Sequence, residues 1–211
     1  MILKKDLKRI QKMLEKRDLL RDKVVEISRK ATRLSDQAII MIHRNEFERA
    51  KMNMWEAGQL LQRLQILLKH SPELRNFGTV LVAQQEYAEG KLLLNVAQYR
   101  RILPLDEAKV EPTVYVLALL DLIGELRRMA LNYLRKGDGA EAEKILSVME
   151  DTYEDLMSID HTAIIPTFRV KSDACRRIVE STRGDVIAEV RRIALEKAVA
   201  NLEKRIGSAN P

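Results

Sequence analysis

Four acidic side chains stand where acids are costly. Val114 to Leu126 reads VYVLALLDLIGEL, apolar around its whole circumference, and Asp121 and Glu125 interrupt it four residues apart, on one face of a helix. An unpaired carboxylate taken out of water costs several kcal/mol, and two neighbours repel, so something positive must offset them. Upstream, Glu86 and Glu89 lie three apart among Val82, Ala83, Gly90, Leu92, Leu93 and Val96. Gly90 and Gly124 each remove a side chain beside these acids, which would let two helices approach closely or leave room for a ligand.

Three physical solutions remain open at this level: a shared divalent cation, a shared proton, or pairing with arginine, for which Arg127 and Arg128 are within reach. Spacing alone does not decide. With 31 acids in 211 residues, chance supplies roughly four or five pairs at any fixed spacing, so the weight rests on the apolar setting. Oxygen-only ligation would select Mg²⁺ or Mn²⁺ rather than zinc. A di-iron bundle centre needs Glu-x-x-His pairs. His43, His70 and His161 are preceded at that spacing by Ile40, Leu67 and Ser158, which removes that option.

The elements that must position these acids are helices. Leu20, Val24, Ile27, Ala31, Leu34, Ala38 and Ile42 recur at threes and fours, predicting one long first helix to about His43. A second is expected over 45–69. A third starts at Ser71-Pro72-Glu73 and continues to about Arg101, before a break at 102–111. Pro112 opens a fourth, ending at Lys136-Gly137-Asp138; an acidic fifth covers 139–159. A sixth ends at Arg183-Gly184 and a seventh runs over 185–204. Eight Gly, five Pro and 4% aromatic residues exclude an all-β fold, and the length suits one domain, 1–211.

Net charge is +6, and residues 1–33 hold twelve Lys/Arg against five Asp/Glu. Such a basic segment is either a solvated helix face or the footprint of a nucleic-acid binder. The single Cys175 cannot close an intramolecular disulfide, which points to a reducing cytoplasm. A nucleophilic role for it is the minor reading beside that of a small core residue. No run approaches the ~20 apolar residues of a membrane span, and the opening MILKKDLKRI lacks the apolar run expected of a signal peptide.

Several segments in series resemble the Trax proteins of the translin family. Gly124-Glu125-Leu126-Arg127-Arg128-Met129, then Asn132 and Gly137-Asp138, are similar to the family's GEL-x-RM…N…GD signature. Gln85-Glu86-Tyr87-x-Glu89 resembles its QEYxE segment. Ser28-Arg29, Ile42-His43-Arg44, Lys171, Glu180 and Arg183-Gly184 follow the same order. The resemblance implies an all-α, seven-helix translin-like bundle assembling into a closed oligomeric shell, an octamer built from copies of one chain. With all four acid positions filled, it implies the catalytic class. Glu86, Glu89, Asp121 and Glu125 would then hold Mg²⁺ (or Mn²⁺) and carry endoribonuclease chemistry on short or single-stranded RNA. Basic residues Arg21, Arg29, Arg33 and Lys171 would hold the phosphate backbone. A short connection at 102–111, where Trax carries a long insertion, resembles the compact archaeal form. The alternatives are a non-catalytic translin-type ring that binds RNA or single-stranded DNA, and a helical scaffold whose acids pair with Arg127 or Arg128.

Overall fold

A computed structural model describes residues 2–208 apart from 70 and 76, so His70 lies outside it. Every regular element among the described residues is helical, as expected: α1 (Ile2–His43), α2 (Phe47–Lys69), α3 (Gly78–Tyr99), the single turn α4 (Leu105–Ala108), α5 (Pro112–Arg135), α6 (Gly139–Met157) and α7 (Phe168–Ser208). No described helix is long and apolar enough to cross a membrane. The residues group into two compact units. One comprises Met1–Leu94 with Leu105–Tyr115, the other Asn95–Pro104 with Val116–Pro211.

In the first unit, α1 turns at 44–46 and α2 packs back along it. The turn works because Asn45 accepts a left-handed φ of 62°, which lets Glu46 N–H reach the Met41 carbonyl at 2.9 Å and satisfy the helix end. Val24, Ala31 and Leu34 of α1 meet Ala57, Leu60, Leu61, Leu64 and Leu68 of α2, with Val80 and Ala83 of α3 completing the cluster. The expected helix start at Ser71-Pro72 is instead one 3₁₀ turn, Pro72–Leu74, and α3 begins at Gly78. That separate turn packs Leu74 against the α1/α2 cluster. The 102–111 break contains α4, whose Ala108 is fully buried. Lys91 Nζ donates to the carbonyls of Glu107 (3.1 Å) and Ala108 (2.8 Å), tying this connection to α3. Glu111 then caps α5, accepting from the N–H groups of Thr113 (2.8 Å) and Val114 (3.2 Å).

In the second unit, the α5 core residues Ala118, Leu122, Ile123 and Leu126 are wholly buried, as are Ile145 and Met149 of α6. Gly137 closes α5 with φ of +75°, as its sequence position predicted, and Asp138 caps α6 through Glu141 N–H at 3.1 Å. Within this unit Arg100, just past the end of α3, donates to Tyr133 Oη (2.7 Å) and Glu141 (2.8 Å).

The sixth and seventh helices of the sequence reading are one helix, α7, which passes through Gly184. A glycine inside a helix costs only about 1 kcal/mol, and contacts on both sides of it hold the helix together. Arg127 of α5 donates to Thr182 Oγ1 (2.8 Å) and to Asp185 (2.9 Å), and Val186 is 1% exposed.

Candidate functional site

In the first unit, α3 carries Glu86 half-buried and Glu89 only 7% exposed, one helical turn apart. The glycine beside them serves α2 and α1 of the same unit. A Cβ on Gly90 would sit 2.8 Å from Met54 Sδ and 3.8 Å from Ile39, so a side chain at position 90 would make the flexible end of Met54 shift.

In the second unit, the apolar stretch of α5 is not sealed on all sides. Leu117, Asp121, Gly124 and Glu125 form a half-open strip that runs on to exposed Arg128. The Asp121 and Glu125 side chains are 26% and 24% exposed. A Cβ on Gly124 would meet nothing within 4 Å, so open space does lie beside these acids. Partial exposure lowers the desolvation cost that made the acids anomalous in the sequence, and cations meet the remainder. Lys171 Nζ of α7 donates to Asp121 Oδ1, and Arg128 stands 3.6 Å from Glu125. Of the two arginines weighed as partners, Arg127 turns instead to Asp185 and Thr182.

Cys175 sits beneath Asp121. Its thiol donates to the Leu120 carbonyl at 3.2 Å, and its pKa is pushed up to about 11. Burial is the main cause; the negative charge of Asp121 adds to it and Lys171 opposes it. A thiol so firmly protonated is no nucleophile at neutral pH.

Each unit thus offers two hard oxygen donors on one face. Within neither unit do three or more His, Cys, Asp or Glu side chains among the described residues group as ligands for a metal ion. The donor chemistry still fits magnesium. That ion is held through one or two carboxylates, keeping waters and taking substrate phosphates for its other positions.

The basic candidates divide. Arg21 is neutralised within α1 by Asp18 (2.9 Å) and Asp22 (3.2 Å). Lys171 is engaged by Asp121. Arg29 and Arg33 are exposed, one turn apart, and line a shallow groove with Lys30, whose ammonium pairs with Glu56 at 3.0 Å.

The pattern that defines the translin family matches residues 19–182. This chain belongs to the translin family. It is 31% identical over 195 residues to an uncharacterized protein of Methanocaldococcus jannaschii, covering 90% of this chain and 85% of that one. Among solved structures, an AfC3PO–duplex RNA complex superposes with a TM-score of 0.78 at 28% identity, covering 89% of this chain and 97% of the other. A crystal structure of AfC3PO gives a TM-score of 0.75 at 29% identity, covering 89% of this chain and 98% of the other. Apo-NeC3PO, at 24% identity, shares the translin-family fold with a TM-score of 0.78 over 87% of this chain and 96% of its own.

Proposed function

We propose that this translin-family chain is the subunit of a closed homo-oligomeric ring, an octamer acting in the cytoplasm, that binds RNA and cleaves it with the help of Mg²⁺ or Mn²⁺. The observation that carries the RNA reading is the likeness, over 89% of the chain, to a protein solved on duplex RNA. The hydrolytic reading rests on Glu86, Glu89, Asp121 and Glu125, carboxylates set in largely apolar helix surroundings.

Glu86 and Glu89 in one unit, and Asp121 and Glu125 in the other, would hold one or two divalent ions, which when bound would polarise a phosphate and acidify a bound water. The protein's part is to keep hard oxygen donors in place and to accept the proton of the attacking water at one of the carboxylates. Arg29 and Arg33 would grip the backbone without reading sequence. Enclosure in a ring would favour short or single-stranded RNA.

The ammonium on Asp121 sharpens this reading. Lys171 and a divalent ion would draw on the same carboxylate: a metal would displace Lys171 or take the other Asp121 oxygen, whereas without a metal Lys171 keeps Asp121 as a structural ion pair. The second outcome is the non-catalytic ring that binds RNA or single-stranded DNA. The Lys171–Asp121 and Arg128–Glu125 contacts are what favour it.

One experiment separates the two. A short labelled RNA is incubated with purified protein in Mg²⁺ and then in EDTA, for the wild type and for Glu125→Ala. Cleavage should require the ion and disappear in the variant, with oligomer size and RNA affinity unchanged. Activity that survives in EDTA or in Glu125→Ala removes the carboxylate mechanism. RNA binding with no products leaves the non-catalytic ring.

A further inference from the structure

The first third of α1 has no core partner: residues 3–19 are all exposed, and Val24 is the first buried position. Ile10 and Arg17 precede Val24, Ala31 and Ala38 in steps of seven, and Met13 and Leu20 precede Ile27 and Leu34 in the same way. These positions therefore continue the side of the helix that farther along packs on α2. Here that side is open and forms a groove with the Ser71 turn, edged by Arg9, Lys12, Lys16 and Arg17, with Asp6 the one acid on its rim. None of the four cations makes an ion pair or side-chain hydrogen bond among the described residues. The other acids of this segment are used elsewhere, Glu15 by Gln11 at 3.1 Å and Asp18 by Arg21.

We infer that this groove is a second contact surface for the phosphate backbone of RNA, separate from Arg29 and Arg33. The inference rests on the RNA reading above. Arg29 and Arg33 lie on the exposed outer side of α1, about a third of a turn or more from Arg9 and Lys16. Charge density selects the partner. Four cations against one acid within about 12 Å of helix axis make this groove strongly positive, which suits a polyanion. Ile10 and Met13 give the groove apolar surface for sugar and base faces.

The test compares Arg9→Gln/Lys16→Gln, on the groove side, with Lys4→Gln/Lys8→Gln, on the outer side, in the full chain. Affinity for a labelled RNA duplex is measured by anisotropy across a salt series, with sedimentation and binding to anionic phosphatidylserine vesicles run in parallel. The groove pair should lose about ten- to fifty-fold in affinity at 0.1 M salt and reduce the salt slope by about two. The outer pair should change affinity little, and neither pair should change sedimentation. Equal effects of the two pairs would mean diffuse attraction and overturn the groove. Dissociation of the assembly by the groove pair would assign the surface to a second copy of the chain. Loss of vesicle binding in place of RNA binding would assign it to a membrane. Either result also overturns the proposal. A wild type that binds no RNA ends the parent reading as well, whereas wild-type binding with an unaffected groove variant ends this one alone.

Discussion

The basic residues of α1 and those of α5 and α7 are the same kinds of side chain in opposite circumstances. Arg127, Arg128 and Lys171 each face a carboxylate within the second unit, at Asp185, Glu125 and Asp121. On α1, Arg9, Lys12, Lys16, Arg17, Arg29 and Arg33 face water with no ion-pair partner among the described residues, whereas Arg21 and Lys30 are neutralised. A cation already paired has its field cancelled close by and must break a contact before gripping a phosphate. An unpaired one contributes its full charge to a polyanion and releases counterions from it. Pairing, not the count of lysines and arginines, therefore separates the helix suited to RNA from those that build the core and hold the acids.

The largest expected effect that tests this contrast is on RNA affinity. Arg29→Gln/Arg33→Gln should reduce the salt slope by about two and the affinity by about tenfold or more. Lys171→Met should leave the slope unchanged and tighten Mg²⁺ binding, measured by calorimetry, because the competing ammonium is gone. A fall in slope with Lys171→Met would place that lysine on the RNA and erase the distinction.

A smaller effect concerns acid stability. Hydrogen bonds from Lys144 and Arg100 hold the Glu141 carboxyl below its ordinary pKa. A carboxylate depressed in the folded state stabilises the protein above its unfolded value and loses that contribution as pH falls through the folded one. Between about pH 5 and pH 3 the wild type should lose about 1 kcal/mol more stability than Glu141→Gln, read from urea denaturation. Parallel curves would show that this paired site contributes nothing.

The smallest expected effect is a gain. Gly184 lies in the helical interior of α7, exposed, with nothing within 4 Å of a Cβ. Gly184→Ala should raise stability by about 0.5–1 kcal/mol in the same assay. A loss would mean that the glycine serves a bend rather than a continuous helix.

The ends of helices governed by their own residues were readable in advance: Pro112 at the start of α5, Gly137 past its end, Asp138 ahead of α6. Where a distant partner decides, local signals fail. Gly184 reads as a stop, yet Arg127, more than fifty positions earlier, holds α7 on both sides of it. Ser71-Pro72 reads as a start, yet Leu74 is claimed by the α1/α2 cluster and the turn closes after three residues. The acids stood out by their apolar neighbours, and the half-open strip on α5 kept part of that signal. Their cations did not, since Lys171 is fifty residues from Asp121. The groove on α1 was hidden for the same reason: twelve cations were visible, but not which of them would find carboxylates.

The protonated thiol at position 175 has a practical consequence. With a pKa of about 11 and a buried sulfur, only about one molecule in a thousand would be ionised at pH 8. Maleimides and iodoacetamides should therefore pass it by. A cysteine introduced on the exposed outer side of α1 can carry a fluorophore or spin label in the otherwise native chain, with no need to replace the resident one.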